Sequence, residues 1–191
     1  MKDKKKKWVN LMKKYSEFGD KLGKGIDKGI LETVVVLNAL GINTDQSCEG
    51  HLKWGTCAPW VDIKAPNTQK LEDELQKYWD EAESLSNRGK SHDVTDKLFS
   101  KFHKLRVKLK STNMAPAQKL LDFLSEFYGD RNSEYKTRLM LSFTPKGLGR
   151  LESQGAAFQE VLPIGQRKRN LLVYEKEMHE FTEFLKKKIF N

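Results

Sequence analysis

Long apolar runs are missing from this chain. The densest, Val34-Val35-Val36-Leu37, falls far short of the roughly 18 residues that a membrane-spanning helix needs, so no span is expected. Cysteine is scarce, with two residues in 191, and in a lysine-rich chain without export signals this predicts free thiols or metal ligands rather than a Cys48–Cys57 disulfide. The basic cluster Lys2 and Lys4 to Lys7 is followed by an amphipathic pattern rather than an uninterrupted apolar core with a cleavage site. No signal peptide is predicted from it, and a cytoplasmic location is expected. There is no phosphate-cradling G-x-x-x-x-G-K, no helix-turn-helix spacing, no RNP-type strand and no zinc-finger pair. No internal repeat is present.

What is there points to one folded domain over 1–191. Hydrophobic residues make up 38% of the chain, yet they are grouped periodically, which favours folding over disorder. Thirty-five Lys+Arg against 26 Asp+Glu give a formal charge of +9. That excess predicts weak, nonspecific attraction for nucleic acid, steeply dependent on salt.

Trp8, Leu11, Met12, Tyr15 and Phe18 mark one face of a first helix, after which Gly19, Gly23 and Gly25 break the chain, and residues 1–24 are expected to form a basic helical arm. A second helix spans roughly Ile26 to Leu40, with Gly41 as its left-handed cap. Thr68 onward is helical through Leu71, Leu75, Tyr78, Trp79 and Ala82. After a turn around Asn87 and Gly89, Asp93 caps a further helix carrying Val94, Leu98, Phe102, Leu105 and Leu109. Residues 68–110 thus read as a helical hairpin insertion, its second arm basic through Lys97, Lys101, His103, Lys104, Arg106, Lys108 and Lys110.

Pro116 opens a helix ending at Gly129, and Thr137 to Phe143 alternates as the cleanest strand. Lys146 to Gly149 is a turn, and Arg150 to Glu152 a short strand. Leu162 to Ile164 is read as extended and Gln166 to Arg169 as a basic turn. The last helix has Leu172, Tyr174, Met178, Phe181, Leu185 and Ile189 on its buried side. About five to six helices with a small mixed or antiparallel sheet, not regularly alternating, indicate an α+β fold. The strands at Trp60 to Lys64 and Arg138 to Phe143 are expected to share that sheet, with the second helix on one face.

The chemistry concentrates in Asn43 to Ile63, which holds both cysteines, two tryptophans and one histidine, framed by Gly50, Gly55 and Pro59. Between the Gly41 cap and the alternating Trp60-Val61-Asp62-Ile63-Lys64 it reads as a helix-to-strand connection of about 18 residues, longer than the usual 2–6, and long connections are usually functional or disordered. The run L-N-A-L-G-I-N-T-x-x-S-C-E-G-H followed by P-W-V-D-I resembles a family of bacterial proteins that share an S-C-E-G-H signature, a resemblance that implies no activity. Thr44-x-x-Ser47-Cys48-x-Gly50 ahead of a strand also resembles the loop of the tRNA wybutosine-synthesis methyltransferase family, with His51 where that family generally has Arg. That second resemblance implies RNA binding or tRNA modification as an alternative function.

From the residues themselves, Cys48, Glu49 and His51 are the candidate catalytic groups: a thiol beside a tight turn, a carboxylate and an imidazole. Thr44, Ser47 and Gly50 would complete the pocket, with Trp54 and Trp60 as apolar walls. Arg138 and Arg150 are candidate anion clamps, and Glu152, Ser153 and Gln154 could approach a ligand. The ligand expected is small and anionic or nucleotide-like. Cys48-x-x-His51 with Cys57 also offers three ligands that zinc accepts, with a fourth wanting unless His92, His103 or His179 supplies it. The plain alternative is a buried small thiol and a histidine that braces the loop.

Overall fold

The structure is a computed structural model that describes residues 2–19, 23–88, 92–144 and 147–190, with side chains described from 5 onward and, in the third stretch, from 95. The expectations for the side chains of Lys2 and Lys4, the turn at Gly89, His92 as a ligand, Asp93 as a cap, Val94 and Lys146 lie outside the described residues. Among the described residues six α-helices and four strands follow in the order α1 (Lys2–Ser16), α2 (Lys28–Ala39), β1 (Thr44–Cys48), β2 (Trp60–Ile63), α3 (Gln69–Asn87), α4 (His92–Thr112), α5 (Met114–Tyr128), β3 (Leu139–Phe143), β4 (Gly149–Ser153) and α6 (Ile164–Phe190). Short 3-10 segments, Tyr135–Thr137 and Gln154–Val161, flank the second pair of strands. Among the described residues no helix is long and apolar enough to cross a membrane.

α2 ends as its sequence predicts. Gly41 has φ +79°, Ile42 N–H donates to the Leu37 carbonyl and Gly41 N–H to that of Asn38, the pairing of a Schellman cap. The chain then turns directly into a strand. The expected long helix-to-strand connection is therefore corrected: Thr44–Cys48 pairs antiparallel with β2, and the irregular part shrinks to a hairpin loop between Cys48 and Trp60. β1 is an edge strand with a register shift between Thr44 and Ser47. Its residues Thr-Asp-Gln-Ser are polar on both faces, so no alternation marks it.

The sheet is entirely antiparallel, in the order β1-β2-β4-β3. Arg150 to Glu152 is a central strand between β2 and β3, so the two expected strands share the sheet through β4 and do not touch. Because side chains alternate across a strand, the register gives two faces. Val61, Leu151 and Leu141 lie in one cross-strand row, and Cys48, Trp60, Glu152 and Met140 in the next. The first face joins the core with Ile30, Val34 and Leu37 of α2, Leu120, Leu124 and Phe127 of α5, and Met178, Phe181 and Leu185 of α6. Phe127 and Phe181 meet edge to face at 5.2 Å.

α6 begins earlier than its composition suggests. Gln166 and Arg167 N–H donate to the Pro163 carbonyl, so the basic turn expected at Gln166–Arg169 gives way to the first turns of this helix, whereas Leu162 is extended, as expected, and only Ile164 of that piece joins the helix. Leu171 replaces Leu172 on the buried side. Leu171, Tyr174, Met178, Phe181 and Leu185 keep the three-to-four spacing of one helix face, and Leu172, one residue out of phase, is exposed.

α3 and α4 pack along each other, with Trp79 against Phe99 and Phe102. The basic residues of α4 from Lys97 to Lys110 are exposed. One buried side chain fastens the end of this pair to the sheet. Asn113, 1% exposed, accepts from Ala65 N–H at 2.7 Å and donates to the Gly147 carbonyl at 2.9 Å. Loss of such a buried bridge leaves two backbone groups unsatisfied, at roughly 1–3 kcal/mol each. Asn113→Ala is therefore expected to lower unfolding free energy by at least about 1 kcal/mol in urea titration. An unchanged midpoint would show that Asn113 carries no such duty.

Candidate functional site

The site is built where the β1–β2 loop meets the first turn of α2. A helix leaves its first N–H groups without internal partners, and its positive end favours a carboxylate. Asp27 occupies the capping position of α2, yet its side chain makes no capping hydrogen bond. Glu49 does this work from across the loop, accepting Gly29 N–H at Oε2, 2.8 Å away. Gly29 permits the approach, because a Cβ there would stand 2.9 Å from the same oxygen. The carboxylate expected to act as acid or base is thus engaged with the helix end.

Asp27 is turned toward the loop instead. Its Oδ2 accepts Glu49 N–H at 3.4 Å and lies 3.5 Å from His51 Nε2, and its Oδ1 is 3.9 Å from Lys24 Nζ. The His51 ring stacks on Trp54 with centroids 3.7 Å apart, and Lys24 stands over Trp54 at 4.8 Å. Thr56 holds the loop closed by accepting His51 N–H at 2.9 Å. Trp54 itself is exposed, so it covers the imidazole from the solvent side.

Cys48 is buried at the end of β1, and Gly50 N–H donates to its Sγ at 3.4 Å. Burial pushes the Cys48 thiol up, and the carboxylates of Asp27 and Glu49 add to this, against Gly50 N–H and Lys24, which pull it down. That direction favours the neutral thiol, the reverse of an activated thiolate. The ligand atoms of Asp27, Cys48 and His51 all lie within 4.8 Å of one another. Gly50 makes the convergence possible. Its φ is +93°, and a Cβ there would meet Leu171 Cδ1 at 2.7 Å and the Ala58 backbone at 2.9 Å.

Cys57 faces elsewhere. Its thiol points at the Arg167 carbonyl, 3.7 Å away, while the Arg167 guanidinium donates to the Leu52 carbonyl at 2.9 Å; both contacts tie the loop to α6.

A cavity of about 600 Å³ opens beside Asp27. Thr44, Ser47 and Trp60 line it on the sheet side, and Tyr15, Phe18 and Lys24 on the other. Thr44 Oγ1 accepts from Asn38, another lining residue. Cys48, Glu49, Gly50, His51 and Trp54 are not among its lining residues, so the cavity meets the loop cluster through Asp27 and Ser47, and Arg150, Glu152, Arg138, Ser153 and Gln154 do not line it either. Arg150 reaches Asp62 with both ends of its fork, at 2.7 and 2.9 Å, and covers the Trp60 ring at 4.0 Å, so its charge is matched within the sheet. Arg138 stacks over Tyr128 at 5.1 Å and donates to the Arg131 carbonyl. Ser153 is buried opposite Leu139, and Gln154 N–H donates to the Arg138 carbonyl.

Sequence reasoning missed Asp27 and Lys24. Asp27 falls in the first turn of the helix predicted from Ile26, where a carboxylate is ordinary, and nothing local shows that the helix starts at Lys28 with Glu49 satisfying its end. A second group of metal-compatible atoms, Glu32, His179 and Glu183, has Lys186 Nζ 3.3 Å from Glu32 and 2.7 Å from Glu183; there the ammonium already serves as the cation.

Glu152 carries a measurable consequence. Burial raises its pKa above the ordinary carboxylate value, outweighing Arg150 and the 3.3 Å hydrogen bond from Ser142, which lower it. A carboxyl group with a raised folded-state pKa opposes folding once pH rises above its unfolded value, and the penalty is complete above the folded one. Glu152→Gln is expected to be more stable than the parent at pH 7, with the difference vanishing as pH falls below about 4. Chemical denaturation at the two pH values checks this, and a variant less stable at pH 7 would contradict it.

Compared with protein-family models, curated proteins and solved structures, the chain matches none, and the functional reading therefore rests on the geometry of this site.

Proposed function

We propose that the protein binds a small polar ligand in the cavity between β1 and the start of α2, with Asp27, which faces the Cys48–His51 loop, at one end of the site. The observation that carries this reading is the cavity itself. At about 600 Å³ it falls within the 300–1,000 Å³ range of small-molecule sites, and its walls combine apolar faces with a few polar groups. Tyr15, Phe18 and Trp60 offer flat apolar surface, and Asn38, Asn43, Gln46 and Ser47 offer donors and acceptors. Of the charged lining residues, Asp45 is held by Lys64 at 2.7 Å, and Lys24 and Asp27, 3.9 Å apart, form the looser charged pole. A ligand with a planar portion and a polar or anionic end matches this division.

The expectation is tested with a library of planar, polar fragments by saturation-transfer NMR on the full chain. Hits should compete with one another for one site. Ser47→Trp, which fills the cavity, should abolish their binding while leaving the circular dichroism spectrum unchanged. Hits that bind equally well to a folded Ser47→Trp variant would place the ligand elsewhere and overturn the reading.

A further inference from the structure

We propose that Asp27, Cys48 and His51 hold one divalent transition-metal ion of the zinc type, with an open coordination position toward the cavity. This deepens the ligand-binding reading by giving the polar end of the ligand an ion to meet, and rests on that reading only for what the open position faces.

Three observations converge. First, the donor set is one thiolate sulfur, one imidazole nitrogen and one carboxylate oxygen, all types that zinc accepts, and three protein ligands are the usual complement of a site that keeps a position open. Second, the spacing suits an ion better than a direct contact. Two ligands at about 2.0–2.1 Å from a tetrahedral ion stand about 3.4 Å apart, and His51 Nε2 and Asp27 Oδ2 are separated by 3.5 Å. That gap is long for a hydrogen bond. His51 Nε2 is shut off from solvent and has no hydrogen-bond partner in the protein, although the side chain as a whole is 17% exposed. Buried polar atoms without partners are uncommon and call for a reason.

Third, the ligands are held by groups around them. Asp27 is oriented by Glu49 N–H and Lys24, His51 by Trp54 and the Thr56 carbonyl, and Cys48 by Gly50 N–H. Outer contacts of this kind fix the direction of metal ligands. Charge also closes: a thiolate and a carboxylate neutralise a doubly charged ion, and the imidazole is neutral. On binding, the Cys48 proton leaves to solvent and the sulfur bonds the ion. Asp27, drawn from a different element, completes the set in place of Cys57.

Cobalt(II) titration of the purified full chain tests the proposal, since a thiolate–cobalt bond gives an intense near-ultraviolet charge-transfer band. The expected result is a band that saturates at one ion per chain and is bleached by zinc. Cys48→Ser should abolish the band, and Asp27→Asn and His51→Ala should weaken apparent affinity by at least the 10–100-fold that loss of an outer partner costs. Cys57→Ser should leave the band intact. Thermal melts confirm that each variant is folded, and Asp27→Asn, the closest in shape, keeps the test valid should His51→Ala unfold. Absence of the band, its survival in Cys48→Ser or its loss in folded Cys57→Ser overturns the site. A chain that gives the band but binds no planar fragment retains the metal and loses the ligand reading; fragment binding without the band has the reverse meaning.

Discussion

The contact on which the site depends is the one between the Glu49 carboxylate and the first turn of α2 at Gly29. Helix ends need their N–H groups satisfied, and an acidic residue immediately before the helix ordinarily does so. Here the residue in that position, Asp27, is released because a carboxylate twenty-two residues later in the chain satisfies the helix in its stead. The exchange fastens the loop to α2 and leaves the Asp27 oxygens facing His51 and Cys48. Glycines at 29 and 50 are required on both sides of the contact, since a Cβ at either meets atoms at 2.7–2.9 Å.

The rest of the fold holds these two pieces in register. α2 is clamped between the sheet and α6 through Ile30, Val34 and Leu37, and Thr33 shares a buried 2.7 Å hydrogen bond with Thr182 of α6. The loop is held from the other side by α6, through Arg167 on Leu52 and Leu171 against Gly50. On the sheet, the Arg150–Asp62 pair under the Trp60 ring keeps charge matched on the polar face. Removing one partner of a buried pair like this costs far more than the pair contributes, because the other charge is left uncompensated.

Much of this architecture was legible because it depends on local pattern. The 3-to-4 spacing of Ile30, Val34 and Leu37, the alternation of Leu139, Leu141 and Phe143, and the Gly41 cap each report a preference that tertiary contacts reinforce. β1 was not legible: its polar residues form a bulged edge strand whose pairing is supplied by β2. The start of α6 was hidden by Gly165, a weak helix former, although Gln166 to Arg169 behind it are good ones; their charge drew the turn reading, and the helix is fastened there by Arg167 on Leu52 and Asn170 on Gln159. At the site, Cys48 and His51 stood out by scarcity and fall together. Cys57 is equally scarce, yet its thiol belongs to the α6 contact. Asp27 could not be found by spacing, since the topology that brings it to the loop is a long-range exchange of helix caps.

X-ray absorption at the zinc edge, on protein loaded with one equivalent of zinc, tests most directly whether that exchange frees Asp27 for an ion shared with Cys48 and His51. The account predicts a single sulfur at about 2.3 Å, with nitrogen and oxygen scatterers at about 2.0–2.2 Å that include one imidazole. Two sulfurs in the shell would mean that Cys57 is recruited in place of Asp27, and a shell without sulfur would mean that the ion sits elsewhere; either result contradicts it.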